Sequence, residues 1–314
     1  MLSRVADALF WTSRYLERAE HVTRLLDVWF HLELDLTKVV PGARERHWQS
    51  LAAILQQQLP GGEGASAPGA IIRWLTFDLE NPSSIMSCVS RARSNARGIR
   101  GTINSEMWRE LNKLYWHLCD PGLRSQALES PHEFFQAVES GSYLVQGVCD
   151  ATLDHDEGWQ FIQLGKFLER ADKTLRILDR QYRLLQEHAE RSDSPLANVE
   201  WAAILRGCRA YEAYQRLYVG RVEPDRVVEF LLLHPSFPRS VYFSLESTAR
   251  ALAAVGGATG LGRAERLIGR VLADLKFIEL EQVLRDGLRS FLGRILEDCV
   301  EVGRAVQEHY SPHA

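Results

Sequence analysis

Residues 15–27 read YLERAEHVTRLLD, and residues 167–179 read FLERADKTLRILD. Seven of the thirteen positions are identical, and Tyr/Phe, Glu/Asp and Leu/Ile pairs add three more. In both strings the apolar residues recur three or four apart, the rhythm of an amphipathic helix and not of a strand. The charges recur as well: Glu17, Arg18, Glu20 and Arg24 return as Glu169, Arg170, Asp172 and Arg176.

Extending this rhythm gives an all-α fold. From Val5 the apolar positions are Val5, Leu9, Trp11, Leu16, Ala19, Val22, Leu26 and Trp29/Phe30. No Gly or Pro precedes Pro41, so one helix of about 35 residues is expected. A second should open at Asn81-Pro82-Ser83-Ser84, with a polar cap and a first-turn proline, and continue to Asp120. Others are expected over 134–153, 157–191, 196–218 and 222–233. His234-Pro235-Ser236 should open the next, and a final helix or pair should end near Tyr310. Segments 59–69 and 256–262 read as mobile loops, and no stretch alternates like a strand.

The doubling extends past the opening string. The two ERA segments lie 152 residues apart, while PSSIMSCVSRARSNAR (82–97) aligns with PSFPRSVYFSLESTAR (235–250) at an offset of 153, with six of sixteen positions matching. Two matches in the same order imply two related helical units, 1–154 and 155–314. Each unit alone would expose a long apolar stripe, so a pseudo-twofold helical bundle sharing one core is expected.

Composition excludes several function classes. The chain has 314 residues, 46% hydrophobic, enough for a large core. Its net charge is -4, and its arginines are interleaved with acids, which argues against a nonspecific nucleic-acid binder. Five scattered cysteines without a CxxC read as reduced thiols in a cytoplasmic protein. There is no secretory signal and no run of about 20 apolar residues, so no membrane span is expected. The first helix carries both charge signs on its polar face, which also argues against membrane-surface binding.

On a helix, Glu17, Glu20 and Arg24 share one side, and Glu20 precedes Arg24 by four, the favourable order for a pair. Asp172 and Arg176 repeat it. Three readings stand: a solvated face, a structural ion-pair network, or an arginine-lined pocket for a carboxylate or phosphate. Doubling favours packed positions over solvated ones. No metal is expected there, because Lys173 replaces His21 in the second copy and the arginines compete for the carboxylates. The acids of DATLDHDEGW (150–159) read as helix caps. His31 is expected to pair with Asp35, and His132, His188 and His309 have no recognisable partner. No GxSxG, HExxH, P-loop or dinucleotide fingerprint is present.

The stretches MLSRVADALFWTSRYLERAEHVTRLLDV, ENPSSIMSCVSRARSNARGIRGTINSEMWRELNKLYW, QLGKFLERADKTLRILD and HPSFPRSVYFSLE resemble the alpha-E domain proteins. This is a bacterial helical family of unknown function, and the resemblance covers essentially the whole chain. It implies association with circularly permuted ATP-grasp proteins that look like peptide or amide ligases and use ATP and Mg. Transglutaminase-like peptidases, and in some cases a proteasome-like peptidase, are frequent neighbours. The resemblance places the family's acid–arginine positions on Glu17, Arg18, Glu20 and Arg24, and by the internal match on Glu169, Arg170, Asp172 and Arg176. Its N-P-S-S signature falls on Asn81–Ser84, making Asn81, Ser83 and Ser84 a turn that could meet substrate. In the second copy this becomes His234-Pro235-Ser236-Phe237, without equivalents of Asn81 and Ser84. The expectation is a helical binding or scaffold subunit of an amide ligase, holding a peptide or amino-acid substrate, with no cofactor of its own and homo-oligomerisation left open. The alternative is an enzyme of the same pathway with a site built from Glu17, Glu169 and the arginines. The missing catalytic signatures favour the first.

Overall fold

The computed structural model describes residues 2–36, 43–55, 67–187, 195–256 and 262–310. Among these, all regular structure is helical, in fifteen helices. Most of the expected loops at 59–69 and 256–262 lies outside the described residues. The chain divides into two compact units, 1–166 and 167–314.

The first unit contains α1 (Ser3–Leu36), α2 (Ala43–Ile54), α3 (Pro68–Thr76), α4 (Ile85–Gly98), α5 (Ser105–Leu118), α6 (Pro121–Glu129) and α7 (His132–Thr152). It also takes the start of α8 (Glu157–Glu187). In α1, Val5, Leu9, Leu16, Ala19, Val22, Leu26 and Trp29 are all buried, as the spacing requires. Each large aliphatic among them contributes about 1.5–3 kcal/mol by leaving water. Trp11 and Phe30 stay half-exposed, and Arg14 lies over the Trp11 ring at 4.9 Å. Helix α1 packs on α4 and α7, and α5 packs on α7. The first turns of α8 join the same unit because Gly165 lets two helices touch. A Cβ there would run into the Ser13 hydroxyl and the Phe10 carbonyl of α1.

The second unit holds the rest of α8 with α9 (Pro195–Gly207), α10 (Tyr211–Leu217), α11 (Pro224–Leu233), α12 (Val241–Gly256), α13 (Arg263–Lys276), α14 (Leu280–Asp286) and α15 (Leu288–Tyr310). In the first unit α2 packs on α3, α3 on α4, α4 on α5, and α5 and α6 on α7; in the second α9 packs on α11, α11 on α12, α12 on α13, and α13 and α14 on α15.

Three expected helices end or begin elsewhere. The helix expected to reach Asp120 is interrupted after Gly98, because Asn104 caps a new one, its side chain accepting from Met107 N at 2.9 Å. The expected 196–218 helix splits into α9 and α10 at Arg209, whose φ of 52° no α-helix accommodates. The helix expected from His234 starts only at Val241. Among the described residues, no helix is long and apolar enough to cross a membrane.

Candidate functional site

The acid–arginine face of α1 points inward. Glu17, Glu20, His21 and Arg24 are all buried, with Glu20 at 0% exposure. The solvated-face reading is therefore wrong. Charges removed from water need partners, and Arg24 Nε lies 3.3 Å from Glu20 Oε1. The second carboxylate oxygen of Glu20 accepts from Gln146 Nε2 of α7 at 3.3 Å. Arg18, half-exposed, places its guanidinium over the Tyr15 ring at 5.6 Å.

In the second unit the same positions on α8 form a denser cluster. Glu169, Arg170 and Asp172 are buried. Arg176 Nε donates to Asp172 Oδ2 at 2.8 Å. Lys173 lies 3.3 Å from Glu169 Oε1 and 3.1 Å from Asp172 Oδ2, so it bridges the two acids. Arg170 donates to the Pro238 carbonyl at 3.3 Å, and Thr174 to the Arg239 carbonyl at 3.0 Å. Lys173 was read from the sequence only as an interruption of a metal set; its place four residues after Glu169 already carried the bridging signal.

Burial pushes the Asp172 carboxyl up, but the Lys173 charge and the Arg176 hydrogen bond outweigh it, leaving the group below its ordinary 3.8. A depressed carboxylate stabilises the fold above its unfolded value, and that contribution disappears as pH falls through the folded one. Asp172 should therefore add no pH dependence between pH 5 and 8 and should contribute to acid unfolding below roughly pH 4. Melting temperature against pH checks this: Asp172→Asn should melt lower at neutral pH, with a shallower acid limb than the parent.

The Asn81–Ser84 turn is committed to the backbone. Asn81 and Ser84 are fully buried. Asn81 donates to the Trp74 carbonyl at 3.1 Å and accepts from Ser83 N at 2.9 Å. Ser84, not Asn81, caps α4, accepting from Ser87 N at 3.1 Å. Ser83 alone of the three is partly exposed. The second unit has a turn of its own before α12. His234 Nδ1 accepts from Ser236 N at 3.3 Å, and Ser240 caps α12 by accepting from Phe243 N at 3.1 Å. Ser240 was missed because it lies three residues beyond the aligned position. Ser84→Ala and Ser240→Ala should each cost about 1 kcal/mol in urea denaturation.

Among the remaining candidates, Asp156 caps α8 as expected, accepting from Gly158 N and Trp159 N. Burial pushes the Cys149 thiol up to about 12, so it stays protonated at neutral pH and is no nucleophile. His31 meets Asp27; the side chain of Asp35, its expected partner, lies outside the described ones. His132, left without a partner by the sequence, meets the same Asp27 carboxylate.

A family model, Alpha-E, described as a predicted alpha-helical domain with a conserved ER motif, matches residues 1–310. The chain belongs to the Alpha-E family. Among the described residues, the Glu-Arg pairs whose glutamate is buried are Glu17-Arg18 and Glu169-Arg170. The chain is similar to uncharacterized protein Mb2597 of Mycobacterium bovis, 28% identical over 321 residues that cover 93% of this chain and 35% of that one. Uncharacterized protein Rv2567 of Mycobacterium tuberculosis is 27% identical with the same coverage. The chain thus spans about a third of the length of these relatives. No solved structure matches it.

Proposed function

We propose that this Alpha-E chain is a helical binding or scaffold subunit of an ATP-dependent amide ligase, a circularly permuted ATP-grasp protein, and that it holds the ligase and its peptide or amino-acid substrate together. The observation that carries this reading is the engagement of the acid–arginine face in buried ion pairs. Glu20 with Arg24, and Asp172 with Arg176 and Lys173, hold one another. Asp172 so held is a poor general base, because the neighbouring cations lower its proton affinity. The size of the relatives adds support, since the matching segment there is joined to much further sequence.

The same reading treats residues 1–154 and 155–314 as pseudo-twofold repeats within one Alpha-E domain. The parallel order of helix pairings and the matching caps at Ser84 and Ser240 support it. An experimental structure should superpose 1–150 on 155–314 with Leu16, Ala19 and Leu26 on Leu168, Ala171 and Leu178; a different helix order would refute the repeat.

Function is tested by reconstitution. The chain should co-purify with an ATP-grasp protein encoded beside it, and ligation should fall at least about tenfold when the chain is omitted, a loss of about 1.4 kcal/mol in transition-state stabilisation. Full ligation by the ATP-grasp protein alone, with no association, would overturn the proposal.

A further inference from the structure

Glu20, Arg24, Asp27 and His31 follow one another on α1 at spacings of four, three and four, so one stripe of the helix carries all of them. The stripe starts among buried ion pairs and ends in a half-open group of different chemistry. On α7, His132 and Gln146 are two heptads apart and also share a face. Gln146 meets Glu20, and His132 meets Asp27. The two helices thus bring together three side chains that neither holds alone.

We infer that Asp27, His31 and His132 form a binding site for one divalent first-row transition-metal ion, with zinc the ion tested first. One ligand atom from each residue lies within 4.8 Å of the others. Zinc bonds of 2.0–2.1 Å in a tetrahedron place ligand atoms about 3.3 Å apart, so small side-chain adjustments suffice. His132 Nδ1 lies 2.7 Å from Asp27 Oδ1, and the His31 and His132 rings meet edge to face with centroids 4.9 Å apart. His31 Nδ1 is 2.8 Å from the Asp27 backbone carbonyl. Donation there leaves Nε2 as the nitrogen with a free lone pair, the arrangement in which a ligating histidine is held by a backbone acceptor.

The donor set selects the ion. Two imidazoles and one carboxylate suit zinc and its neighbours and are a poor match for calcium or magnesium, which take oxygen cages. Side-chain exposures of 52% for His31, 39% for His132 and 15% for Asp27 leave an entry path from solvent. The nearest basic residue on the stripe, Arg24, is held by Glu20. Three protein ligands leave a position for water or for an oxygen of a bound molecule, as in open zinc sites and not closed structural ones.

Isothermal titration of untagged, chelator-treated protein with Zn2+ alone should show one saturable equivalent. Co2+ should give a visible absorption band that Zn2+ abolishes. His31→Gln, His132→Gln and Asp27→Asn should each weaken Zn2+ binding by about tenfold or more, and His31→Gln/His132→Gln should remove it. These histidines are partly exposed, so the variants should keep the parent's helical circular dichroism. Zn2+ should raise the parent's melting temperature and leave that of the double variant unchanged. Undiminished one-equivalent binding by the folded double variant, or no saturable uptake by the parent, would overturn the site. Should Asp27→Asn alone fail to fold, the two histidine variants decide the matter.

Discussion

Glu20→Ala should destabilise the fold by about 3–5 kcal/mol, the cost of breaking a buried ion pair from one side. The substitution leaves Arg24, 3% exposed, without the carboxylate 3.3 Å away, and takes from Gln146 its acceptor. Desolvated guanidinium is the source of the penalty, because water cannot reach it to compensate. Were the pair a surface one, the loss would stay below about 1 kcal/mol. Urea denaturation of parent and variant separates these magnitudes. Glu20→Gln should lose less, since its amide oxygen still accepts from Gln146.

Gly165→Ala is the second large effect, about 3 kcal/mol of destabilisation and at the upper end for overpacking. Most added methyls in a core displace a flexible side chain. Here the new Cβ meets the backbone carbonyl of Phe10 as well as the Ser13 hydroxyl, and backbone cannot rotate away. The start of α8 would have to move away from α1 at this point. Gly147→Ala in α7 is the matched control. It sits exposed in a helix with nothing near its missing Cβ, so alanine should stabilise by about 0.5–1 kcal/mol. Equal stability of the two alanine variants would show that the close crossing of α1 and α8 does not exist.

Helices were legible where periodicity was long. Val5 to Trp29 repeats its apolar residues over many turns without Gly or Pro, and α1 buries that stripe. Boundaries set by one side chain were harder. Asn104 caps α5 inside what reads as continuous helix, and Ser84 caps α4 three residues after the asparagine that looked like the cap. A short polar side chain stops a helix only when its oxygen reaches a free N–H, which depends on backbone geometry that no spacing displays. Inward orientation of the Glu/Arg face was legible from its repetition, because unconstrained surface charge has no reason to be written twice. The group of Asp27, His31 and His132 was not legible. His132 lies 105 positions from Asp27, and only the packing of α7 on α1 joins them.

The central claim is that the charges of the Alpha-E acid–arginine face pair with one another and leave the chemistry to a partner ligase. It is tested most directly by neutralising one pair from both sides. Glu20→Gln/Arg24→Met removes both charges while roughly keeping side-chain volume, and replacing a buried pair with uncharged groups of similar volume is often neutral in stability. The double variant should melt near the parent and support ATP-dependent ligation by the ATP-grasp partner within about twofold, a difference of about 0.4 kcal/mol. A variant that melts like the parent, binds the ligase and yet loses ligation by about a hundredfold or more would contradict the claim and place the face in the chemistry.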